Sequence, residues 1–317
     1  MAAGISPSAG IVRHSRTLPP RAGLLVLLMP VIISAQPQPP KGQDFHIEVN
    51  VDLVVLQATV SDRKGRFAPH LDERNFHVYE DGVRQSIRLF RHEDIPVTVG
   101  IVVDHSASMG PKLSHVIEAA RAFGRSSNPR DQLFVVNFNE RVTIGLPADE
   151  SFTDRPDEID RAILKTRATG KTALYDAIDC ALDRLKSGAS EKKVLIVISD
   201  GGDNASALRL PEVLKKAEES SAAIYTLGIF DDDDPDRNPD VLRRLARITG
   251  GEAFFPRQLD EVVAICESIA RDIRHQYMLG YVSTNVVRTG AYRKVRVSAE
   301  ADGYGKLQVR TRSGYAR

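Results

Sequence analysis

Residues 97–110, VTVGIVVDHSASMG, constrain the fold more than any other stretch of the chain. They begin as an almost unbroken apolar run rich in β-branched residues, the pattern of a strand buried on both faces. The run stops at Asp104, and side chains carrying oxygen then fall at alternate positions: Asp104, Ser106, Ser108. In a tight loop, short side chains at alternate positions can all turn toward one point. A carboxylate and hydroxyls converging beyond the carboxyl end of a strand make a hard-oxygen site suited to Mg²⁺ or Mn²⁺. Pro111 then opens a helical pattern carried by Leu113, Val116, Ile117, Ala120 and Phe123, proline being well tolerated in a first turn. A loop joining a buried strand to a helix is where open α/β sheets bind ligands.

Two later stretches extend this constellation. Residues 168–178, ATGKTALYDAI, place Thr172 after a loop and at the start of a helical pattern, and residues 194–203, VLIVISDGGD, form a second buried strand running into Asp200 and two glycines. Asp104-x-Ser106-x-Ser108, Thr172 and Asp200, in that order and each on such a loop, resemble the metal-ion-dependent adhesion site of von Willebrand factor type A domains. The order of strands, loops and helices fits that family from about residue 97 to about residue 274. The whole chain is also similar to a bacterial group of exported proteins with a domain related to that type. Their flanking segments read like VDLVVLQATVSDRKGR, FHVYEDGVRQSI and YRKVRVSA here.

The resemblance implies a doubly wound, mostly parallel α/β sheet. It also implies a divalent cation, Mg²⁺ or Mn²⁺ with Ca²⁺ as a further candidate, bound to the neutral oxygens of Ser106, Ser108 and Thr172. Asp104 and Asp200 would supply charge, directly or through water, and the partner would be a protein presenting an acidic residue. The sequence departs from the family at Lys171, where a small residue is common. An ammonium there would weaken cation binding unless it points outward or pairs with Asp203.

In chain order, residues 1–35 have the form of a secretory signal, with Arg13, Arg16 and Arg21 ahead of an apolar run and a small-residue cleavage point after Ala35. The run is interrupted by Pro30 and is shorter than the roughly 20 residues a membrane-spanning helix needs. An uncleaved anchor is the alternative, and only then would a membrane be a partner. Residues 36–44 read as a Pro-rich linker and residues 45–94 as a small β module with turns at Asp62–Gly65 and Asp81-Gly82. Residues 95–274 alternate strands with helices, which argues a mostly parallel sheet covered on both faces. Residues 275–317 return to β signals. Since a few strands alone leave half a core, this last segment is expected to pair with the 45–94 strands as a β-sandwich-like module into which the α/β domain is inserted. Export to the periplasm or the extracellular space follows from the leader.

Other function classes are less well supported. The 43 Lys and Arg against 42 Asp and Glu leave no basic footprint for nucleic acid. Thr169-Gly170-Lys171-Thr172 resembles the end of a phosphate-binding loop, but position 165 is Lys where that motif needs Gly. The acidic run Asp231–Asp234 with Asp236 lacks the spacing of a calcium loop and reads as solvated. Cys180 and Cys266 fall on apolar helix faces, as buried free thiols do, with a disulfide, which export would permit, as the alternative. His105 is expected at the rim of the site, and Asp176 either behind Thr172 or at an ordinary helix position. No nucleophile stands beside a base, so no catalytic residue is expected. A metal-free assembly module and a metal-dependent hydrolase using Asp203 or His105 as base are the competing readings.

Overall fold

The computed structural model describes residues 53–92, 94–230, 237–285 and 292–316. The leader, the linker and the acidic run at 231–236 lie outside the described residues. The first strand, β1 (Leu53–Ser61), is followed by the predicted turn. There the Asp62 carboxylate accepts from the Lys64 and Arg66 backbone N–H groups, and Gly65 takes φ +77°. Next come β2 (Phe76–Glu80), β3 (Val83–Gln85) and β4 (Ile87–Arg91).

The α/β series then runs β5 (Val97–Asp104), α1 (Leu113–Ser126), β6 (Gln132–Phe138), β7 (Val142–Ile144), α2 (Pro156–Leu164), α3 (Leu174–Lys186) and β8 (Lys192–Ser199). It continues with α4 (Leu210–Glu219), β9 (Ala223–Gly228), α5 (Pro239–Thr249), β10 (Ala253–Phe254) and α6 (Glu261–Arg274). Strands β11 (Tyr277–Val282), β12 (Tyr292–Ala299), β13 (Gln308–Arg310) and β14 (Gly314–Ala316) follow.

The central sheet has the order β10-β9-β8-β5-β6-β7, parallel except for β7 at one edge. Strand β5 lies in its middle with all eight residues buried, as its apolar run requires. Gly100 gives room there for the neighbouring strands: a Cβ would meet the Phe134 ring at 2.5 Å and Leu195 at 2.6 Å. Helix α1 packs on α2 and α6, while α4 packs on α3 and α5, so two helix layers cover the sheet. From β5 the chain steps first to β6 on one side and later to β8 on the other. That reversal is the topological switch point at which such sheets bind ligands.

The remaining strands form two antiparallel sheets, β13-β1-β11-β4 and β14-β12-β2-β3, closed around their own apolar core of Leu56, Val60, Phe76, Val78, Tyr277 and Leu279. Strands from before the α/β series pair with strands from after it: β1 with β11 and β13, β4 with β11, and β2 with β12. The Asp81-Gly82 turn leads from β2 into the short β3, which pairs with β2, and β4 crosses to the other sheet. Gln85 marks the crossing: its buried amide donates to the Thr284 hydroxyl and accepts from the Thr284 N–H.

A buried polar junction ties this module to the α/β part. Asp272 on α6 accepts from Thr59 Oγ1 of β1 at 2.7 Å, from the Tyr225 hydroxyl of β9 at 2.8 Å and from the Arg310 guanidinium of β13. Both cysteines are free thiols, not a disulfide; Cys266 is buried, which pushes its thiol up to about 12, whereas Cys180 is only partly buried.

Candidate functional site

The loops that follow the carboxyl ends of β5 and β8 meet with the loop that precedes α3. Asp104, the last residue of β5, is fully buried. Its Oδ1 accepts from the Ser106 backbone N–H at 2.7 Å and its Oδ2 from the Ser199 hydroxyl at 2.7 Å. Ser106 Oγ lies 3.1 Å from Ser108 Oγ, and Ser108 Oγ donates to Asp200 Oδ2 at 2.8 Å. Asp104, Ser106, Ser108 and Asp200 are thus linked in one line of hydrogen bonds, from the Asp104 carboxylate to the Ser106 backbone and from the Ser106 hydroxyl through that of Ser108 to Asp200. Ser106 and Asp200 are almost entirely covered, and Ser108 is partly open.

Thr172 is held by its backbone to the loop that follows Asp200. Its N–H donates to Asn204 Oδ1 at 3.0 Å, and its carbonyl accepts from the Asn204 and Ala205 N–H groups. The Gly170 carbonyl accepts from the Ala107 N–H at 3.3 Å, which fastens this loop to the serine loop. The turn after Asp200 has a steric requirement of its own. Gly201 takes φ +81°, and a Cβ there would stand 2.4 Å from the Asn238 carbonyl oxygen. Any other residue would push the Asp200 loop off the start of α5.

Two further residues differ from their expected places. His105 does point away from Ser106, but it is fully buried rather than at the rim, with ring nitrogens 3.1 Å from the Val103 carbonyl and 2.9 Å from that of Ile163. Burial holds its imidazole below the usual histidine range. Pro111 falls in a 3₁₀ segment, Ala107–Lys112, that leads into α1. Lys112 is buried there and donates to the Ile229 carbonyl at the end of β9.

Asp203 and Asp176 act on the backbone. Asp203 Oδ2 and Ser206 Oγ both accept from the Tyr175 N–H, and Ser206 Oγ also accepts from the Asp176 N–H. These satisfy donors that the first turn of a helix leaves open. In return the Asp176 carboxylate accepts from the Ala207 and Leu208 N–H groups. The second loop is therefore locked to the start of α3 from both sides. Lys171 is exposed, and its N–H donates to Glu140. Ser199 was not singled out from sequence. It closes the apolar run 194–198 directly before Asp200, a position that marks it in the sequence only as the end of a strand.

The donor chemistry fits a hard divalent cation. All the side chains in the cluster present oxygen, and two carboxylates converge among neutral hydroxyls. Burial raises Asp104 from 3.8 to about 6, with the nearby Asp200 charge adding to the rise against the hydrogen bonds from Ser199 and Ser106. Two carboxylates brought together in a buried place repel one another and disfavour the charged form, and a bound cation would relieve that. Among the described residues no group of three or more His, Cys, Asp and Glu side chains is placed to hold a metal ion, so a nitrogen- or sulfur-rich centre has no support there.

The sequence matches the von Willebrand factor type A domain over residues 98–266. Among solved structures, a von Willebrand factor type A protein from Catenulispora acidiphila is similar with TM-score 0.51 and 14% identity, covering 82% of this chain and 71% of that one. The vWF domain of the type V pili tip protein Mfa5 from Porphyromonas gingivalis gives TM-score 0.48 and 14% identity, covering 57% and 95%. Proximal thread matrix protein 1 from the mussel byssus, with a zinc-occupied MIDAS motif, gives TM-score 0.46 and 16% identity, covering 57% and 48%. The matched span takes in the strands, loops and helices that build the site described above, and the chain belongs to the von Willebrand factor type A family.

Proposed function

We propose that the chain is an exported binding module that grips a partner protein through a divalent cation, Mg²⁺ or Mn²⁺, held by Asp104, Ser106, Ser108, Thr172 and Asp200. The observation that carries the reading is the continuous line of hydrogen bonds from the buried Asp104, through the Ser106 backbone and the Ser106 and Ser108 hydroxyls, to Asp200. Domains of this family serve in protein interaction, and nothing in the chemistry of the site calls for turnover.

When bound, the cation would supply a Lewis-acidic point of positive charge among ligands that are mostly neutral. The residues around it set what it can attract. Two carboxylates at most oppose its two charges, and Lys171 adds a further positive charge on the exposed side of the loop. An anionic oxygen from outside, most simply a partner's Asp or Glu side chain, completes that balance. Export fits the leader-like start of the chain, and among the described residues no helix is long and apolar enough to cross a membrane.

The test is a capture experiment from the source organism with the full chain as bait. A partner is expected to bind in millimolar Mg²⁺, to be released by chelator, and to be missed by the Asp104→Ala bait. Its binding should also disappear when one acidic residue of the partner becomes Asn or Gln. A partner retained through both chelation and Asp104→Ala would place recognition on another surface.

A further inference from the structure

The chain passes between the β module and the α/β part twice. Residues 92–96 lead from β4 into β5, and residues 275–276 lead from α6 into β11. Each passage carries a histidine laid on an aromatic ring of the β module. His92 stacks on Tyr277 with ring centres 4.1 Å apart, and His275 on Phe67 with ring centres 5.0 Å apart. His275 Nδ1 also lies 2.7 Å from the Arg271 carbonyl oxygen near the end of α6. The exposed His70 belongs to the same loop as Phe67.

Lys192, the first residue of β8, is only 4% exposed. It lines a small cavity together with Ile95 of one passage and Gln276 of the other. Its Nζ donates to the Ile273 carbonyl. The carboxylates of the neighbouring elements are taken up by other partners. Arg274 holds Asp94 at 2.7 Å and also Asp131 at the start of β6, and Arg310 holds Asp272. Glu191 lies 3.6 Å from Arg91, which lines the same cavity. Gln57 and Gln276, on the remaining walls, are neutral.

Burial therefore brings the Lys192 amine from 10.5 down to about 7; the Arg274 charge adds to the fall, and Asp272, Asp94 and Asp131 oppose it. His92 is held below the usual histidine range by burial and then by His275, His70 and Lys192, against a hydrogen bond to the His275 backbone.

We propose that this junction is a proton-operated hinge, packed while Lys192 and His92 are neutral and loosened when they take up protons. The placement carries the choice. A proton on either group puts a charge against both chain passages, among groups that are basic or already paired, and opening lets water reach that charge. The direction follows from linkage: both groups hold a proton more tightly in the opened junction than in the packed one. Opening is favoured as the pH falls, by Lys192 from 10.5 down to about 7 and by His92 below 6.5. With one proton per opening on the first limb, the opening constant rises about fiftyfold between pH 9 and 7.

The experiment is hydrogen–deuterium exchange on the full chain in chelator, read by mass spectrometry from pH 9 to 5.5 and corrected for the intrinsic rate at each pH. Residues 274–280 report the junction, and β5 reports the core of the α/β sheet. Junction amides are expected to be less protected than those of β5 throughout, because the hinge opens without unfolding the sheet. Their protection should fall about fiftyfold from pH 9 to 7, and further below 6.5. Lys192→Met should flatten the upper limb and leave the lower one, and His92→Phe should weaken the lower limb alone. Lys192→Gln, which keeps a donor for the Ile273 carbonyl, should flatten the upper limb equally, so that a packing defect in one variant does not decide the result. Junction protection constant from pH 9 to 7, an unchanged slope in both Lys192 variants, or protection equal to that of β5 would overturn the inference.

Discussion

Replacing Asp104 by Asn is expected to raise the melting temperature of the metal-free protein at neutral pH, and to abolish the further rise that Mg²⁺ or Mn²⁺ gives the wild type. Asp104 is buried, not a surface loop carboxylate, and its pKa of about 6 stands above the 3.8 of an exposed one. A difference of that size corresponds to roughly 3 kcal/mol of penalty on the charged form. Asn keeps an oxygen for the Ser106 N–H, and its amide can turn a hydrogen toward Ser199. The variant should therefore lose the penalty while keeping the loop. In a domain of this size the gain amounts to several degrees, on the scale of about 2–4 °C per kcal/mol.

The direction with pH follows from the same group. Because the folded pKa is raised, this contribution favours the folded state fully below pH 3.8 and is lost as the pH rises to about 6. Metal-free wild type should lose stability across that window relative to Asp104→Asn. The cation acts oppositely, since it needs the carboxylate ionised, and its stabilising effect should fade as the pH falls below about 6. Thermal melts of both proteins, freed of metal and then titrated with Mg²⁺, decide the matter. A variant that melts well below the metal-free wild type would show that Asp104 holds the loop by a means other than awaiting a cation.

The second large effect is expected in the β module. Glu80 and Arg293 are both almost wholly buried, 2.9 Å apart. The Glu80 carboxylate also accepts from the Tyr281, Ser283 and Tyr315 hydroxyls. These partners come from both sheets, so one side chain ties β2 to β11, β12 and β14. Burial opposes the charge, but the hydroxyls and Arg293 outweigh it and hold Glu80 below the usual glutamate range. Glu80→Ala would leave a buried guanidinium without that counter-charge and is expected to cost about 3–5 kcal/mol. Glu80→Gln keeps an acceptor and should cost less. With a lowered pKa, the stabilisation from Glu80 is present above about 4.5 and is lost as the pH falls through the lower folded value. Urea unfolding followed by circular dichroism is the measurement. A loss under about 1 kcal/mol in Glu80→Ala would mean that the two sheets are held by their apolar core alone.

Much of the central architecture could be read from the residues because it rests on local pattern. The buried run of β5 and the oxygen alternation after it are visible as written, and α5 spans Pro239–Thr249, as its proline and apolar period suggest. What escaped reading depends on distant partners. Strand β14 has three residues and exists through pairing with β12, and β3 has three residues and pairs with β2. Segments so short take their conformation from the neighbouring strand rather than from their own propensity. At the site, the order of Asp104, Ser106, Ser108, Thr172 and Asp200 along the chain was legible, but depth was not. Spacing can bring two carboxylates to neighbouring loops, yet it does not tell how far water is excluded from them. Ser199 escaped for a related reason, since a single serine closing an apolar strand looks like an end residue until the strand beside it is known.

Anomalous diffraction from crystals of the full chain grown with Mn²⁺ would locate the cation. One strong peak is expected within bonding reach of Ser106, Ser108 and Asp200, and none there in crystals of Asp104→Asn grown the same way, which is the outcome that a cation site at these loops requires. A Mn²⁺ peak elsewhere, with none at these loops at saturating cation, would contradict it.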